Sequence, residues 1–193
     1  MRFTRNGATL YSTAATVSVP LYADASFAGA GAKITGITFD GNVPTDSTAR
    51  LIGTSGMTVW ADTASKTGGT NEQWDSAFRS KESYSGGAYL SFVASFANKN
   101  MAVGLSSAPE AGAGYASMDW AIMCRSNGTV ALYNNGVLNQ ELGTYAAADV
   151  FSLTYDGAAV VAVKNGAQVG TSVAASISAP LFVDSSFATA GGM

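Results

Sequence analysis

Two-residue turn signals recur along this 193-residue chain and restrict what it can fold into. Six Asn-Gly or Asp-Gly pairs separate short β-branched and aromatic runs, and they begin at positions 6, 40, 127, 135, 156 and 165. A type I′ hairpin turn needs positive φ at both central residues, which Asn-Gly and Asp-Gly adopt readily. The run 150–155 should turn at Asp156-Gly157 into 158–164, which turns again at Asn165-Gly166. The pattern predicts a meander of antiparallel strands.

Alternating apolar and polar residues assign faces to two of these runs. In 119–125, Trp120 and Cys124 point to the same side, and we expect both in the core. In 88–96, three large apolar side chains share one side, namely Leu90, Phe92 and Phe96. No stretch has sustained helical spacing. The predicted fold is therefore all-β, an antiparallel β-sandwich of the jelly-roll type.

A twelve-residue motif occurs near each end of the chain. Residues 20–31 read PLYADASFAGAG and residues 180–191 read PLFVDSSFATAG, with eight identities. The match extends upstream and pairs 5–27 with 164–187, at an offset of 159 residues that becomes 160. A repeat of this length fits into the chain once. The N-terminal segment is therefore predicted to duplicate the last strands of a single sandwich domain.

The first copy of the motif continues into residues 32–39, AKITGITF, which read as a strand. We predict that this is an assembly strand, with Ile34, Ile37 and Phe39 as its apolar residues. The chain then divides into an N-terminal segment, 1–47, and a sandwich domain, 48–193. The segment can complete its own domain, donate a strand to a neighbouring subunit, or remain a redundant tail. The sequence leaves these alternatives open.

Composition excludes several classes of function. Charged residues make up only 12% of the chain and the net charge is −3, so we expect no nucleic-acid partner. The chain has no histidine, which removes the commonest general base and most zinc sites. Its single cysteine cannot form an internal disulfide. We see no signal peptide and no apolar run long enough to cross a membrane, and we predict no metal and no cofactor.

Five stretches resemble a repeat module of bacteriophage tail and fibre proteins and of some bacterial surface proteins. They are WDSAFRSKESYSGGAYLSF, NKNMAVGLSSAPE, YASMDWAIMCRSNGTVALYNNG, GTYAAADVFSLTYDGAAVVAVKNG and PLFVDSSF, between residues 74 and 187. The module is similar to concanavalin-A-like lectin/glucanase sandwiches, of the kind also seen in laminin-G and SPRY-type domains. The order of these landmarks is more specific than any one of them.

The resemblance implies a sandwich of two large antiparallel sheets in a non-enzymatic structural or adhesive component of a virion. The expected location is the exterior of a phage particle, as a fibre, tip or decoration subunit. The expected partners are other virion proteins or copies of this chain. The alternative function is a carbohydrate-binding module for host surface polysaccharide.

Aromatic residues near turn-rich stretches are the candidate glycan-binding residues. A pyranose ring stacks on Trp or Tyr while guanidinium and amide groups bind its hydroxyls. The candidates are Tyr115, Trp60, Trp74, Arg79 and Tyr84. Tyr115, between AGAG and AS, is the one most expected to be exposed. For Trp74 the preferred alternative is that it shares a face with Phe78 and packs in the core.

Acidic residues give no catalytic or metal-binding pattern. A glycosidase needs two carboxyl groups facing one cleft, about 5–9.5 Å apart. The acidic residues here are scattered through turns and strand ends; they include Asp75, Glu82, Glu110, Asp119 and Glu141. Asp149 and Asp156 bracket one strand but do not form the dense acidic loop that calcium prefers. The sequence therefore predicts a protein that is not an enzyme.

Overall fold

The computed structural model describes residues 2–5, 8–12, 50–54, 56–60, 63–109, 112–178 and 180–191. The chain divides into two compact units, Met1–Val43 and Pro44–Met193. The predicted assembly strand, with Ile34, Ile37 and Phe39, lies outside the described residues, as does the turn at Asp40-Gly41. The division at residues 47 and 48 stays a prediction.

The first unit contains a β-hairpin of β1 (Arg2–Arg5) and β2 (Ala8–Ser12). The two strands are antiparallel, with Arg5 opposite Ala8 and Thr4 opposite Thr9. They flank the Asn6-Gly7 pair, as the turn chemistry predicts.

In the described residues of the second unit, the structure has thirteen strands and one 3₁₀ turn, Tyr115–Ser117. The strands are β3 (Leu51–Gly53), β4 (Met57–Trp60), β5 (Thr63–Lys66), β6 (Phe78–Ser80), β7 (Ala88–Ala94), β8 (Met101–Ser106), β9 (Trp120–Cys124), β10 (Thr129–Asn134), β11 (Val137–Thr144), β12 (Asp149–Tyr155), β13 (Ala159–Lys164), β14 (Ala167–Ala174) and β15 (Phe182–Phe187). Seven of them form an antiparallel sheet in the order β11-β10-β9-β8-β15-β6-β3, here called the large sheet. Four form the small sheet, in the order β14-β13-β12-β7. β4 and β5 pair with each other.

The inner sides of the large and small sheets form one hydrophobic core. The large sheet contributes residues such as Met101 and Ile122, and the small sheet contributes Phe92, Phe151 and Leu153. The Phe92 and Phe151 rings stack with centroids 5.5 Å apart. Burying each side chain of this size stabilises the fold by about 1.5–3 kcal/mol. The predicted all-β antiparallel sandwich is confirmed.

The face predictions hold for β9 and for most of β7. Trp120 and Cys124 are both buried in the core, as predicted. Leu90 and Phe92 are also buried there, but Phe96 is 46% exposed. The prediction for Phe96 is wrong because β7 ends at Ala94, so the two-residue alternation does not continue to position 96.

Two of the predicted turns have the type I′ geometry, whereas at Asn127-Gly128 and Asp156-Gly157 only the glycine has positive φ, at 79° and 98°. Asn135 and Gly136 have φ of 47° and 75° between β10 and β11, and Asn165 and Gly166 have φ of 51° and 80° between β13 and β14. Positive φ at both positions is typical of the type I′ turn, which matches the right-handed twist of the flanking strands. The two pairs therefore fix the registers of β10–β11 and β13–β14 at the turn.

Candidate ligand-binding face

The outer face of the large sheet is set by the alternation of β8, β9, β10 and β15. Residues that follow core residues by one position point away from the small sheet. Ala102, Ala121 and Met123 form a second buried cluster there, separate from the main core. Small side chains at two of these positions leave room for another element to lie directly on the sheet.

That element is the loop between β8 and β9, which crosses the outer face. Its Met118 is fully buried in the second cluster. The loop is held at both ends: the Ser186 hydroxyl donates to the carbonyl of Ala113 at 2.6 Å, and the Ser107 amide donates to the Asp119 carboxylate at 2.6 Å. Residues 112–119 of this loop therefore cover the sheet and place the Tyr115–Ser117 turn on it.

Three aromatic rings lie in contact along this cover. Trp74 and Tyr115 meet edge to face with centroids 4.8 Å apart, and Tyr115 and Tyr133 meet edge to face at 5.7 Å. All three rings are partly buried against the second cluster. We call Trp74, Tyr115 and Tyr133 the aromatic cluster. Half-exposed rings supported by a packed layer are suited to stacking against an apolar ligand face.

One guanidinium group extends the aromatic cluster across the sheet. Arg125 donates from Nη2 to the Tyr133 hydroxyl at 3.1 Å, and its guanidinium lies 5.7 Å from the centroid of that ring. Its Nη1 donates to both carboxylate oxygens of Glu141, at 3.0 and 2.9 Å. The face thus presents aromatic rings beside a fixed cation and an anion, which are groups that bind hydroxyls directionally.

Trp74 is positioned by a buried lysine. The loop that follows β5 carries Trp74, and the Lys66 ammonium donates to the carbonyls of Thr70 and Gln73, both at 2.7 Å. It also donates to the Asp75 carboxylate at 2.5 Å. The lysine side chain is fully buried. Lys66 also donates to the carbonyls of Phe187 and Ala188, so its ammonium holds the loop that carries Trp74 against the end of β15.

The sequence candidates do not all converge. Tyr115 and Trp74 are brought into contact, but Tyr115 is partly buried rather than exposed. Trp74 does not share the core with Phe78: Phe78 packs between the sheets and Trp74 packs on the outer face. That alternative is wrong because Trp74 precedes β6 in a loop, where strand alternation does not apply.

The other three candidates lie elsewhere. Arg79 shares the outer face, but three strands separate β6 from β10, which puts its backbone roughly 19 Å from that of Tyr133. Trp60 is 81% exposed at the end of β4. Tyr84 forms a bridge with Leu181, and burial, followed by the charge of Glu82, raises the pKa of its hydroxyl.

Sequence reasoning missed Tyr133 and Arg125. The signal was present in part, since Tyr133 follows Leu132 in an alternating strand and so points outward. Alternation in the run 119–125 also points Arg125 away from Trp120 and Cys124, but nothing in the run indicates its partner. The contact between Arg125 and Tyr133 depends on the pairing of β9 with β10, with Ala121 opposite Tyr133.

The carboxyl groups on the described residues of this unit have ionic or hydrogen-bonded partners. The Lys66 ammonium lowers the pKa of Asp75 to about 2, and a hydrogen bond from Arg50 lowers the pKa of Glu82. A general acid in glycoside hydrolysis needs a raised pKa instead. Glu110 lies outside the described residues.

Metal-site and membrane-span geometry are missing from the part of the chain that the structure describes. There, no three His, Cys, Asp or Glu side chains are placed to hold a metal ion. Nor does any helix in those residues have the length and apolar character needed to cross a membrane.

Comparison with known proteins identifies the fold. No protein-family model and no curated protein sequence matches this chain. The SPRY domain of human HERC1 matches with a TM-score of 0.52 and 18% identity, over 67% of this chain and 83% of that one. The TRIM65 PSpry domain matches with a TM-score of 0.51 and 14% identity, over 72% and 83%. Identities this low show a shared fold alone, and they confirm the concanavalin-A-like, jelly-roll sandwich.

Proposed function

We propose that this chain is a non-enzymatic structural and adhesion subunit on the exterior of a bacteriophage-like particle, in the position of a fibre, tip or decoration protein. Its partners are other virion proteins and copies of itself, and it assembles through its N-terminal strands. The resemblance of residues 74–187 to a phage tail and fibre module supports this proposal. So does a chain with few charged residues.

The observation that carries the proposal is a repeated structural unit. The hairpin β1–β2 has the same register at its turn as β13–β14: Lys164 is opposite Ala167 where Arg5 is opposite Ala8. The offset between these pairs is 159 residues, the offset of the sequence repeat. A chain that carries this sandwich and a second copy of its β13–β14 hairpin has surplus strands to offer to another subunit.

Light scattering of the full-length protein during size exclusion tests assembly. Across a dilution series, the proposal expects defined oligomers or growing polymers rather than the 19.6 kDa of one chain. A mass that stays at 19.6 kDa at every concentration contradicts it.

A second candidate function, carbohydrate binding, is favoured by the aromatic cluster. Trp74, Tyr115 and Tyr133 present ring surface beside Arg125, the combination that holds a sugar ring and its hydroxyls. The ligand is then a host surface polysaccharide. Loss of one stacking ring is expected to weaken binding about tenfold, which is the equivalent of about 1.4 kcal/mol.

Glycan arrays followed by calorimetry test this second function. Tyr115→Ala should weaken binding, whereas Trp60→Ala should leave it unchanged because Trp60 is exposed outside the aromatic cluster. Tyr115→Phe keeps the ring and should retain most of the affinity. An array without any saturable binding, or equal losses for Tyr115→Ala and Trp60→Ala, contradicts this function.

A further inference from the structure

Among the described strands, four lie at the edges of the large and small sheets, and three of these have protected edges. β11 and β14 are connected by Gln140, whose Nε2 donates to the Thr171 carbonyl at 3.0 Å and whose Oε1 accepts from the Thr171 amide at 2.8 Å. The ladder between β10 and β11 has two register shifts, and that between β13 and β14 has one. β3 has only three residues. Bulges, covering side chains and short strands are the usual ways in which proteins block edge-to-edge pairing.

β7 differs from these strands. It has seven residues, and it pairs with β12 without any register shift, from Asp149 opposite Ala94 to Tyr155 opposite Ala88. Among the strands that the structure describes, β12 is its one neighbour, so the small sheet ends at β7. Its sequence, AYLSFVA, contains no charge and no proline. A long, regular, uncharged edge is a template for an additional strand.

The outer face beside this edge is also uncharged. Tyr89 and Val93 on β7 are 56% and 46% exposed, and Val150 on β12, opposite Val93, is 39% exposed. Ser91 and Ser152 lie opposite each other between them. An added strand with apolar residues would therefore extend both the core side and the outer side of the small sheet.

The repeated motif indicates which strand this is. In the second copy of the motif, Lys99 donates to the Ala190 carbonyl at 2.8 Å, and the Ala188 amide donates to the Asn100 carbonyl at 3.0 Å. The end of the second copy therefore lies beside the loop between β7 and β8. In the first copy, the same motif continues into residues 32–39, the predicted assembly strand. A strand that continued the second copy in the same way would start beside the C-terminal end of β7 and run antiparallel to it.

The place of the motif in this sandwich is taken by its second copy. Residues 182–187 form β15 and occupy the position between β8 and β6. What the first copy adds to a sandwich is only its continuation, residues 32–39. We infer that the free edge of β7 binds residues 32–39 of a second copy of this chain, an inference that rests on the assembly function proposed above.

This contact is heterologous, because a strand segment on one copy meets a sheet edge on the next. Each copy has one donor segment and one acceptor edge. Heterologous contacts generate rings when the rotation closes and open filaments when it does not. Such a joint suits a fibre subunit.

Full-length protein tests the inference by light scattering and by amide hydrogen exchange of residues 88–94. The expected mass exceeds 19.6 kDa and falls on dilution, and the slow amides of β7 become faster in parallel. Ile37→Pro removes an amide donor in the middle of the added strand and should return the mass to 19.6 kDa, with β7 exchange at its fast limit. Ala28→Pro, in the surplus copy of the motif, is the matched control and should change neither.

A peptide of residues 32–39 provides the second measurement. Added in excess to the full-length protein, it should lower the mass while keeping the β7 amides slow. If oligomers persist in Ile37→Pro, or if β7 exchange does not follow the mass, assembly uses another surface and this inference is wrong. Slow β7 amides at a constant 19.6 kDa show that the strand comes from the same chain, which also overturns it. Fast β7 amides at that constant mass show that no strand is added at all. At either exchange rate, a constant 19.6 kDa also contradicts the assembly function proposed above.

Discussion

Replacing Lys66 by methionine is the sharpest test of how this sandwich is held together. The ammonium group ties the loop after β5 to itself through Thr70, Gln73 and Asp75, and to the end of β15 through the Ala188 carbonyl at 3.0 Å. Methionine keeps the length and apolar character of the lysine stem but removes the ammonium group, and with it all of these hydrogen bonds. Nothing else about the core changes.

The expected loss follows from what is left behind. Removing one partner of a buried ion pair typically costs about 3–5 kcal/mol, and a hydrogen bond to a charged group contributes about 1.5–3 kcal/mol. The Asp75 side chain keeps 37% of its surface in water, so its carboxylate remains hydrated without the lysine. The lower end of the range therefore applies, and we expect Lys66→Met to cost about 3 kcal/mol. For a domain of this size the melting temperature falls by roughly 6–12 °C.

Thermal and urea unfolding, followed by circular dichroism, measure this loss. Lys164→Met is the control, since Lys164 is partly exposed and donates to the Thr144 carbonyl at 2.8 Å from the surface. We expect this control to change stability by less than about 1 kcal/mol. If Lys66→Met melts within 2 °C of the native protein, or no lower than the control, the role assigned to the buried ammonium is wrong.

Three further predictions concern pH, a turn and the cysteine. The buried lysine holds the folded pKa of Asp75 at about 2, below an unfolded value of about 3.9. The stabilisation that the Asp75 carboxylate provides is therefore complete above pH ~4 and is lost as the pH falls towards 2. Asp75→Asn should flatten the pH dependence of the urea unfolding midpoint in that window. Gly136→Ala should destabilise the protein by about 1–3 kcal/mol, and by more than Gly166→Ala. Both positions have positive φ, but only at 136 does an added Cβ clash with Ala116, at 2.8 Å. Equal losses of stability in urea titrations of the two variants would refute this clash. Burial raises the pKa of Cys124 to about 12, so a thiol reagent should label it only at the rate of unfolding, and fast labelling of native protein would contradict its burial.

Local sequence patterns predict the structural features that depend on a single dipeptide or on a single strand. Asn135-Gly136 and Asn165-Gly166 form their hairpin turns because Asn and Gly both accept positive φ at low cost. Alternation within β9 placed Trp120 and Cys124 in the core for the same reason, since the strand period is local. The residue at which a strand ends is not encoded by its alternation, and so the alternation of β7 did not predict that Phe96 is exposed.

The candidate face required more than local patterns. Trp74 and Tyr115 are 41 positions apart, and no pattern in either stretch indicates that the loop between β8 and β9 folds over the large sheet. Lys66 stands in a polar stretch, TASKT, that is typical of an exposed strand end. Its burial follows from the approach of Ala188, 122 residues further along the chain.

The sequence by itself determined the class of fold, the hairpin turns and the duplication of the terminal motif, because each depends on the backbone preferences or identities of neighbouring residues. The tertiary structure alone decided which aromatic residues meet, where the lysine is buried and which sheet edge is left without a neighbour among the described strands. These features depend on strand order and on loops that cross a sheet. Contacts of that kind join residues far apart in the chain, and no short-range pattern encodes them.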